Sequence, residues 1–213
     1  LNAGEKTQVN SDGGFTCADA TSSTATTWSF ADPTVHTSSF TYQARVVDAT
    51  NGVGNTTSHA VTIDTAAPGT PVITSVTDDM SPVTGTVANS GFTNDTTPTL
   101  TGTAEANSTV TILDGVTTLG TATANGSGAW TFTTAALSQA THSFTATATD
   151  AAGNPSAASS AYTVTIDTTP PAVPLITSFD KDSGIVGDHI TNDTKLMING
   201  TAGTPVSGTG TGP

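Results

Sequence analysis

Apolar and polar residues trade places at every second position along most of this chain, and no segment carries the 3.6-residue stripe of an amphipathic helix. Between residues 68 and 170 the alternation predicts strand after strand. "PVITSV" at 71–76 opens the series, "PTLTGTA" at 98–104 sets Leu100, Gly102 and Ala104 on one face, and "STVTILDG" at 108–115 does the same with Val110 and Ile112. A "DG" turn leads into "TTLGTATA", and an "NGSG" turn leads into "AWTFTT" with Trp130 and Phe132 inward, connections of the hairpin type. "HSFTATATD" at 142–150 sets Phe144, Ala146 and Ala148 against threonines, and "AYTVTID" at 161–167 does so with Tyr162, Val164 and Ile166. Seven strands and no helix predict an all-β fold. Outward Thr, being β-branched, holds strand geometry while keeping the surface wet, so a chain poor in apolar residues can still fold.

The pattern also repeats. "HAVTIDTAAPGTPVITSVTDD" at 59–79 returns as "YTVTIDTTPPAVPLITSFDKD" at 162–182, Trp28-Ser29-Phe30 corresponds to Trp130-Thr131-Phe132, and "TNDTTPTLTGTA" at 93–104 returns as "TNDTKLMINGTA" at 191–202. A period of roughly 100 residues filled with short strands is the size of one immunoglobulin-like sandwich and too long for a solenoid repeat. The expected architecture is therefore tandem Ig-like antiparallel β-sandwiches, with one complete domain at 68–170 flanked by two partial ones. Residues 1–67 hold only later strands, with Phe40, Tyr42, Ala44 and Val46, then Val61 and Ile63, on the inner face, and 171–213 hold only opening strands. Neither fragment closes a sandwich alone, because core faces and strand edges would be left bare. Either the chain is a window on a longer array, or the tail of one chain completes the head of another by strand donation.

Composition narrows the function classes. The 213 residues carry a net charge of -13, with only four Lys and Arg against 17 acidic residues, which excludes nucleic acid and anionic membranes as primary partners. No apolar run approaches a membrane span and no charged-then-apolar leader stands at the N-terminus, so membrane insertion is not expected; Leu1 in place of an initiator Met points to a processed or internal segment. Cys17 is the single cysteine, so no intrachain disulfide forms and the compartment stays open. All the acidic residues but Glu5 and Glu105 are Asp, the short carboxylate that suits turns and oxygen-ligand metal sites.

"TNDTTPTLTGTAEANSTVTILDG", "GSGAWTFTTAALSQATHSFTATATDAAGN" and "YTVTIDTTPP" together resemble the bacterial Ig-like repeats of giant biofilm-associated and repeats-in-toxin surface adhesins, closely over 68–170 and partially in the flanks. The resemblance implies an extracellular, cell-surface stalk whose domains are held in line by structural calcium at their junctions. The sequence departs from it in "NSDGGFTCADATSSTATT" near the start, and in Gly203, which stands where the complete repeat has Glu105.

Topology supports calcium independently. In an Ig sandwich the loop before the last strand points back toward the preceding domain, which would bring Asp150 and Asn154 beside Asp64, with Glu105 at the same end. At the other end Asp78, Asp79, Asn94 and Asp95 close the first-to-second-strand connection near Asp167, and Asp48 is the equivalent loop residue of the first unit. Hard oxygen donors without His or Cys suit Ca²⁺. The competing reading is that each of these Asp and Asn residues only caps its own turn. Asp180, Asp182 and Asp193 repeat the pattern without a settled role.

Catalysis has little support. His36, His59, His142 and His189 are scattered, His59 falling at the inward position held by Tyr162 in the next repeat, and neither a nucleophile elbow nor a phosphate loop is present. Trp28 and Trp130 could form a sugar platform, but their matched strand positions point to core packing. The leading expectation is a non-enzymatic stalk whose partners are neighbouring Ig-like repeats, with an unknown receptor. The alternatives are a filament subunit joined head-to-tail by donated strands between 172–213 and 1–67, and a carbohydrate-binding accessory domain.

Overall fold

A computed structural model describes residues 5–11, 18–19, 22–23, 27–48, 50–179 and 197–202. Cys17, Asp180, Asp182, His189, Asp193 and Gly203 lie outside the described residues. The chain divides into two compact units, Leu1–Ala67 with Ala151–Asn154, and Pro68–Asp150 with Pro155–Pro213.

The first unit contains β1 (Lys6–Asn10), β2 (Ala18–Asp19), β3 (Ser22–Ser23), β4 (Trp28–Ser29), β5 (Phe40–Val47) and β6 (Thr57–Val61). Its main sheet runs β2-β1-β5-β6, and β3 pairs with β4 separately. Among its described residues Val9, Ala44 and Val47 are the buried apolar ones. The inner face of β5 departs from strict alternation: Val46, expected inward, is 37% exposed, while Val47, whose backbone bridges Val53 beyond the Asp48 turn, is buried.

The second unit contains β7 (Val72–Asp78), β8 (Gly85–Val87), β9 (Gly91–Thr93), β10 (Thr99–Thr103), β11 (Thr109–Asp114), β12 (Thr117–Thr123), β13 (Ala129–Thr133), β14 (Thr141–Thr149) and β15 (Tyr162–Ile166), followed by β16 (Leu175–Phe179) and β17 (Ile198–Thr201). One sheet runs β13-β10-β7-β8 and the other β12-β11-β14-β15-β9, while β16 and β17 pair with each other. Between the two larger sheets Val76, Leu100, Val110, Ile112, Phe144 and Ala146 are wholly buried in one cluster with Ile73, Trp130 and Val164. All seven strands expected from the alternation are present, and β14 buries His142, Phe144, Ala146 and Ala148 at every second position.

Two short strands were not foreseen. β8 pairs antiparallel with β7, and β9, only four residues further on, pairs parallel with β15 in the opposite sheet. The chain changes sheets at Ala88–Ser90, where Ser90 takes φ 67° and donates its N–H to Thr163, and Asn89 Oδ1 accepts the Thr163 N–H at 2.8 Å. Tyr162 fixes the crossing by donating its hydroxyl to the Val87 carbonyl at 2.6 Å. Three-residue strands in a Gly, Ser and Thr background leave no period to read.

The repeat equivalence does not hold for every side chain. Trp130 is 3% exposed, lying against Gly102, whereas Trp28 is 47% exposed, because the first unit has no described counterpart of β7 and β10 to cover it. His59 is exposed for the same reason.

Candidate functional site

The ladder registers sort the acidic candidates to two ends of the sandwich. Thr103 pairs with Val72 and Thr109 with Thr149, so Glu105 and Asp150, which follow β10 and β14, share one end. Thr99 pairs with Thr77 and Ile166 with Thr93, so Asp78, Asp95 and Asp167 share the other.

At that second end, three of the expected residues meet on one threonine. Thr93, buried in β9, donates its hydroxyl to Asp78 Oδ2 at 2.5 Å and accepts the Asp95 N–H on the same oxygen at 3.0 Å. Its carbonyl accepts the Asp167 N–H at 2.9 Å. Asp78 is 6% exposed and takes the Met80 N–H on Oδ1, and Asp95 is 1% exposed and takes both the N–H and the hydroxyl of Thr97 on Oδ1. Asp95 Oδ2 is buried and has no hydrogen-bond partner. A buried carboxylate oxygen without a donor is costly, and a bound cation is one way to offset that cost. The Asp167 carboxylate turns instead to the Thr169 N–H and the Gln139 amide, while Asn94 donates to the Ser81 carbonyl and Asp79 stays exposed.

The remaining candidates mostly cap turns. Asp48 Oδ1 accepts the Thr50 N–H, the Thr50 hydroxyl and the Gly52 N–H within 2.8 Å, and these bonds, the Thr50 hydroxyl first, hold its carboxyl below the usual range. Asp64, exposed, accepts the Ala66 N–H. Asn154 belongs to the same unit as Asp64 and donates its amide to the Asp64 carbonyl at 3.1 Å. Glu105 points its side chain to solvent while its carbonyl takes the N–H and hydroxyl of Ser108. Asp150 is half-buried at the end of β14. Among the described residues no three Asp, Glu, His or Cys side chains converge to hold a metal ion by themselves. Calcium at either end would therefore need carbonyl, hydroxyl or water oxygens to complete its shell.

Two polar constellations escaped the sequence reading. His142, 6% exposed, sets Nδ1 2.7 Å from Asp114 Oδ2 and Nε2 2.9 Å from the Ser138 carbonyl, its ring parallel to Phe144. Both partners only accept, so the imidazolium, with two N–H donors, is the form that satisfies both. Burial alone pulls the His142 pKa down, but the Ser138 carbonyl and the Asp114 carboxylate outweigh it and the net shift is upward. In the first unit Asp32 accepts from Tyr42 at 2.9 Å and from the Thr34 N–H, and lies 2.8 Å from His36 Nε2; His36 in turn stacks on Phe40. The His36 contact, then the Thr34 N–H, hold the Asp32 carboxyl far below the usual range. Residues 28 apart in sequence pair in the first case only through the β11–β14 register, which no local motif announces.

Residues 70–168 match the family described as bacterial Ig-like domain. Solved structures that this chain matches include the BSP domain of a biofilm associated protein, at 22% identity and TM-score 0.35 over 78% of this chain. The chain spans 25% of that protein's length. Fibronectin(III)-like modules of CbhA from Clostridium thermocellum match at 14% identity and TM-score 0.41, covering 76% of this chain and 77% of theirs. SGBP-B of the Bacteroides ovatus mixed-linkage glucan utilization locus matches at 11% identity and TM-score 0.25, covering 82% and 64%. A search of curated proteins returned no match. The match to the family described as bacterial Ig-like domain falls on the central sandwich.

Proposed function

We propose that this chain is a spacer segment of a secreted bacterial surface adhesin or fibre, a non-enzymatic stalk of serial Ig-like sandwiches stiffened by structural calcium. The observation that supports the spacer role is serial repetition of one architecture. The sheet order β2-β1-β5-β6 of the first unit is that of β12-β11-β14-β15 in the second, and β16–β17 repeats the pairing of β7–β10. A chain that reproduces one scaffold in series gains length rather than a new site with each copy.

Calcium is supported by the donor chemistry: all-oxygen candidates at both ends of the sandwich and the unpartnered, buried Asp95 Oδ2. Asp78 and Asp95 are the residues that would hold the ion, with Asp167 joined to them through the Thr93 carbonyl; Asp48, Asp64, Glu105, Asp150 and Asn154 stay within the proposal for the remaining acidic turns. Bound calcium would neutralise its carboxylate ligands and would reduce the freedom of the Pro68 and Pro170 segments that follow Asp64 and Asp167.

Thermal melts in calcium and in chelator test the ion. A ligand held at 100 times its Kd adds about 2.7 kcal/mol to stability, so calcium should raise the melting temperature of the wild-type chain measurably, and Asp95→Asn should abolish the rise. Small-angle scattering tests the stalk: removal of calcium should shorten the mean end-to-end length without melting the sandwiches. An identical melting temperature and length in both buffers would remove calcium from the account.

A further inference from the structure

Residues 134–140 carry the chain from β13 in one sheet to β14 in the other, and their backbone is tied down along the way. The Thr134 and Leu137 N–H groups donate to the carbonyls of Pro98 and Thr96, and the Ala140 carbonyl accepts the Ile166 N–H. Between these anchors Ser138 turns its carbonyl to the buried His142 ring, while Gln139 reaches to the segment that leaves the sandwich after β15. The Gln139 amide donates to Asp167 Oδ1 at 3.1 Å and to Thr169 Oγ1 at 2.6 Å, and its carbonyl accepts the Thr168 hydroxyl at 2.9 Å. One side chain thus holds three consecutive residues. β15 ends at Ile166, so Thr168 and Thr169 lie beyond its ladders with β14 and β9. Pro170 and Pro171 follow at once and stiffen the backbone that Thr169 leads into.

What holds the Ser138 carbonyl is a charge. The sequence has no Lys or Arg between Arg45 and Lys181, and within 68–170 His142 is the one residue able to become a cation. Its ring bridges Asp114 Oδ2 at 2.7 Å and the Ser138 carbonyl at 2.9 Å, and Asp114 is itself fixed by accepting the Ser143 N–H on Oδ1. A neutral imidazole has a single N–H, which the carboxylate, as the stronger acceptor, retains. The Nε2 lone pair would then face the Ser138 carbonyl, two acceptors in a site where the ring is 6% exposed, and the peptide has to turn away. The other titratable groups at this end of the sandwich are Asp78 of β7, Asp95 before β10, Asp167 beyond β15 and Tyr162 of β15, whose hydroxyl is committed to the Val87 carbonyl. The three carboxylates all favour the cation.

We propose that Gln139 is a clasp on the segment leaving the sandwich and that the charge of His142 sets it: the imidazolium holds Ser138 and with it the grip of Gln139 on Asp167–Thr169, and the neutral ring releases both. Exposed hydrogen bonds like those of Gln139 are individually weak, so a small turn of the preceding peptide suffices to undo them. Burial opposes the cation, but the Ser138 carbonyl and then the Asp114 carboxylate raise the His142 pKa above 6.5. The clasp is therefore closed below 6.5 and opens as pH rises through the folded value. This device depends neither on the spacer reading nor on calcium.

The test follows the full chain in chelator, so that no divalent cation acts at Asp167, by NMR relaxation at Cα, which is independent of exchanging protons. Below pH 6.5 the order parameters of Thr168 and Thr169 should be those of rigid backbone, about 0.85, and they should fall below about 0.6 once His142 is neutral. The midpoint should coincide with that of the His142 ring carbons. Asp114→Asn weakens the cation and should move both midpoints together to lower pH. Gln139→Ala should leave the ring titration in place while Thr168 and Thr169 are mobile at every pH. Thr168 and Thr169 that are mobile at every pH in the wild-type chain, or rigid in Gln139→Ala, overturn the clasp. Rigidity that persists through the His142 titration, or a loosening that does not follow the Asp114→Asn shift, overturns its control by His142. Loosening shared by Phe144 and Val164 would assign the change to the whole sandwich and overturn the proposal as well.

Discussion

Gly102→Ala tests how closely the two halves of the central core approach. A β-carbon on Gly102 would lie 2.1 Å from the Val72 carbonyl oxygen and 2.3 Å from Cζ2 of Trp130. Ordinary contact begins beyond 3 Å, so β7 or the indole must retreat by roughly 1 Å. Neither yields easily: the carbonyl belongs to a strand paired on both sides, and the ring is 3% exposed within the main cluster. Overpacking of this kind costs about 1–3 kcal/mol, and simultaneous conflict with backbone and ring places Gly102 at the upper end. The reduced freedom of the unfolded chain returns about 0.4–1 kcal/mol, leaving a net loss of about 2 kcal/mol. For a domain of about 100 residues that lowers Tm by roughly 8–16 °C. Gly126→Ala is the control, because its β-carbon meets nothing within 4 Å. Melts followed by emission, in a Trp28→Phe background so that Trp130 reports, would compare the two. If Gly102→Ala melts within 2 °C of its parent, on the scale where 1 kcal/mol moves Tm by about 4–8 °C, the close approach of β10 and Trp130 is wrong.

Two further consequences concern the same sandwich. The His142 pKa is raised in the folded state above its ordinary 6.5, so the stability it contributes is fully present below that value and is lost as pH rises through the folded value. Denaturation midpoints should therefore fall with increasing pH on the alkaline side of 6.5, and His142→Gln should flatten that dependence; a parallel fall in the variant would place its cause elsewhere. Phe144, wholly buried at the centre of β14, should cost about 3–5 kcal/mol on replacement by alanine, read from urea unfolding of the second unit.

The strands of the second unit were legible because one face of each is buried and the other is threonine, a pattern that survives without any knowledge of pairing. The sheet order was not, since the change of sheet between β8 and β9 rests on the Tyr162 and Asn89 hydrogen bonds across the sandwich, more than 70 residues away in sequence. Trp28 shows a different limit. Sequence equivalence to Trp130 gives its place on the strand, but burial depends on whether an opposite sheet is present. The acidic residues fell at the expected ends because strand direction fixes which turns share an end. Their carboxylate orientations could not be read, since each is decided by competition between a shared site and the residue's own turn. Asp167 and Asp48 are held by local N–H groups, while Asp95 keeps one oxygen unspent.

The distribution of polarity within the central sandwich explains why so lean a core suffices and why its ends carry the chemistry. Hydroxyl pairs join neighbouring strands on the outer faces, Thr99 to Thr133 at 2.9 Å, Thr141 to Thr165 at 2.8 Å and Ser75 to Thr101 at 2.7 Å. Such pairs add cross-strand support of about 0.2–1 kcal/mol each without placing charge on the sides. Acidic groups are thereby displaced to the turns: Asp78, Asp95 and Asp167 at one end, Glu105 and Asp150 at the other. With four basic residues in the whole chain, this charge has almost no internal counterion. Like charge concentrated at the ends repels any further negative charge brought up to them, and dissolved cations screen that repulsion. The same arrangement that lets threonine replace a large core thus concentrates the charge of the sandwich at its ends and not on its faces.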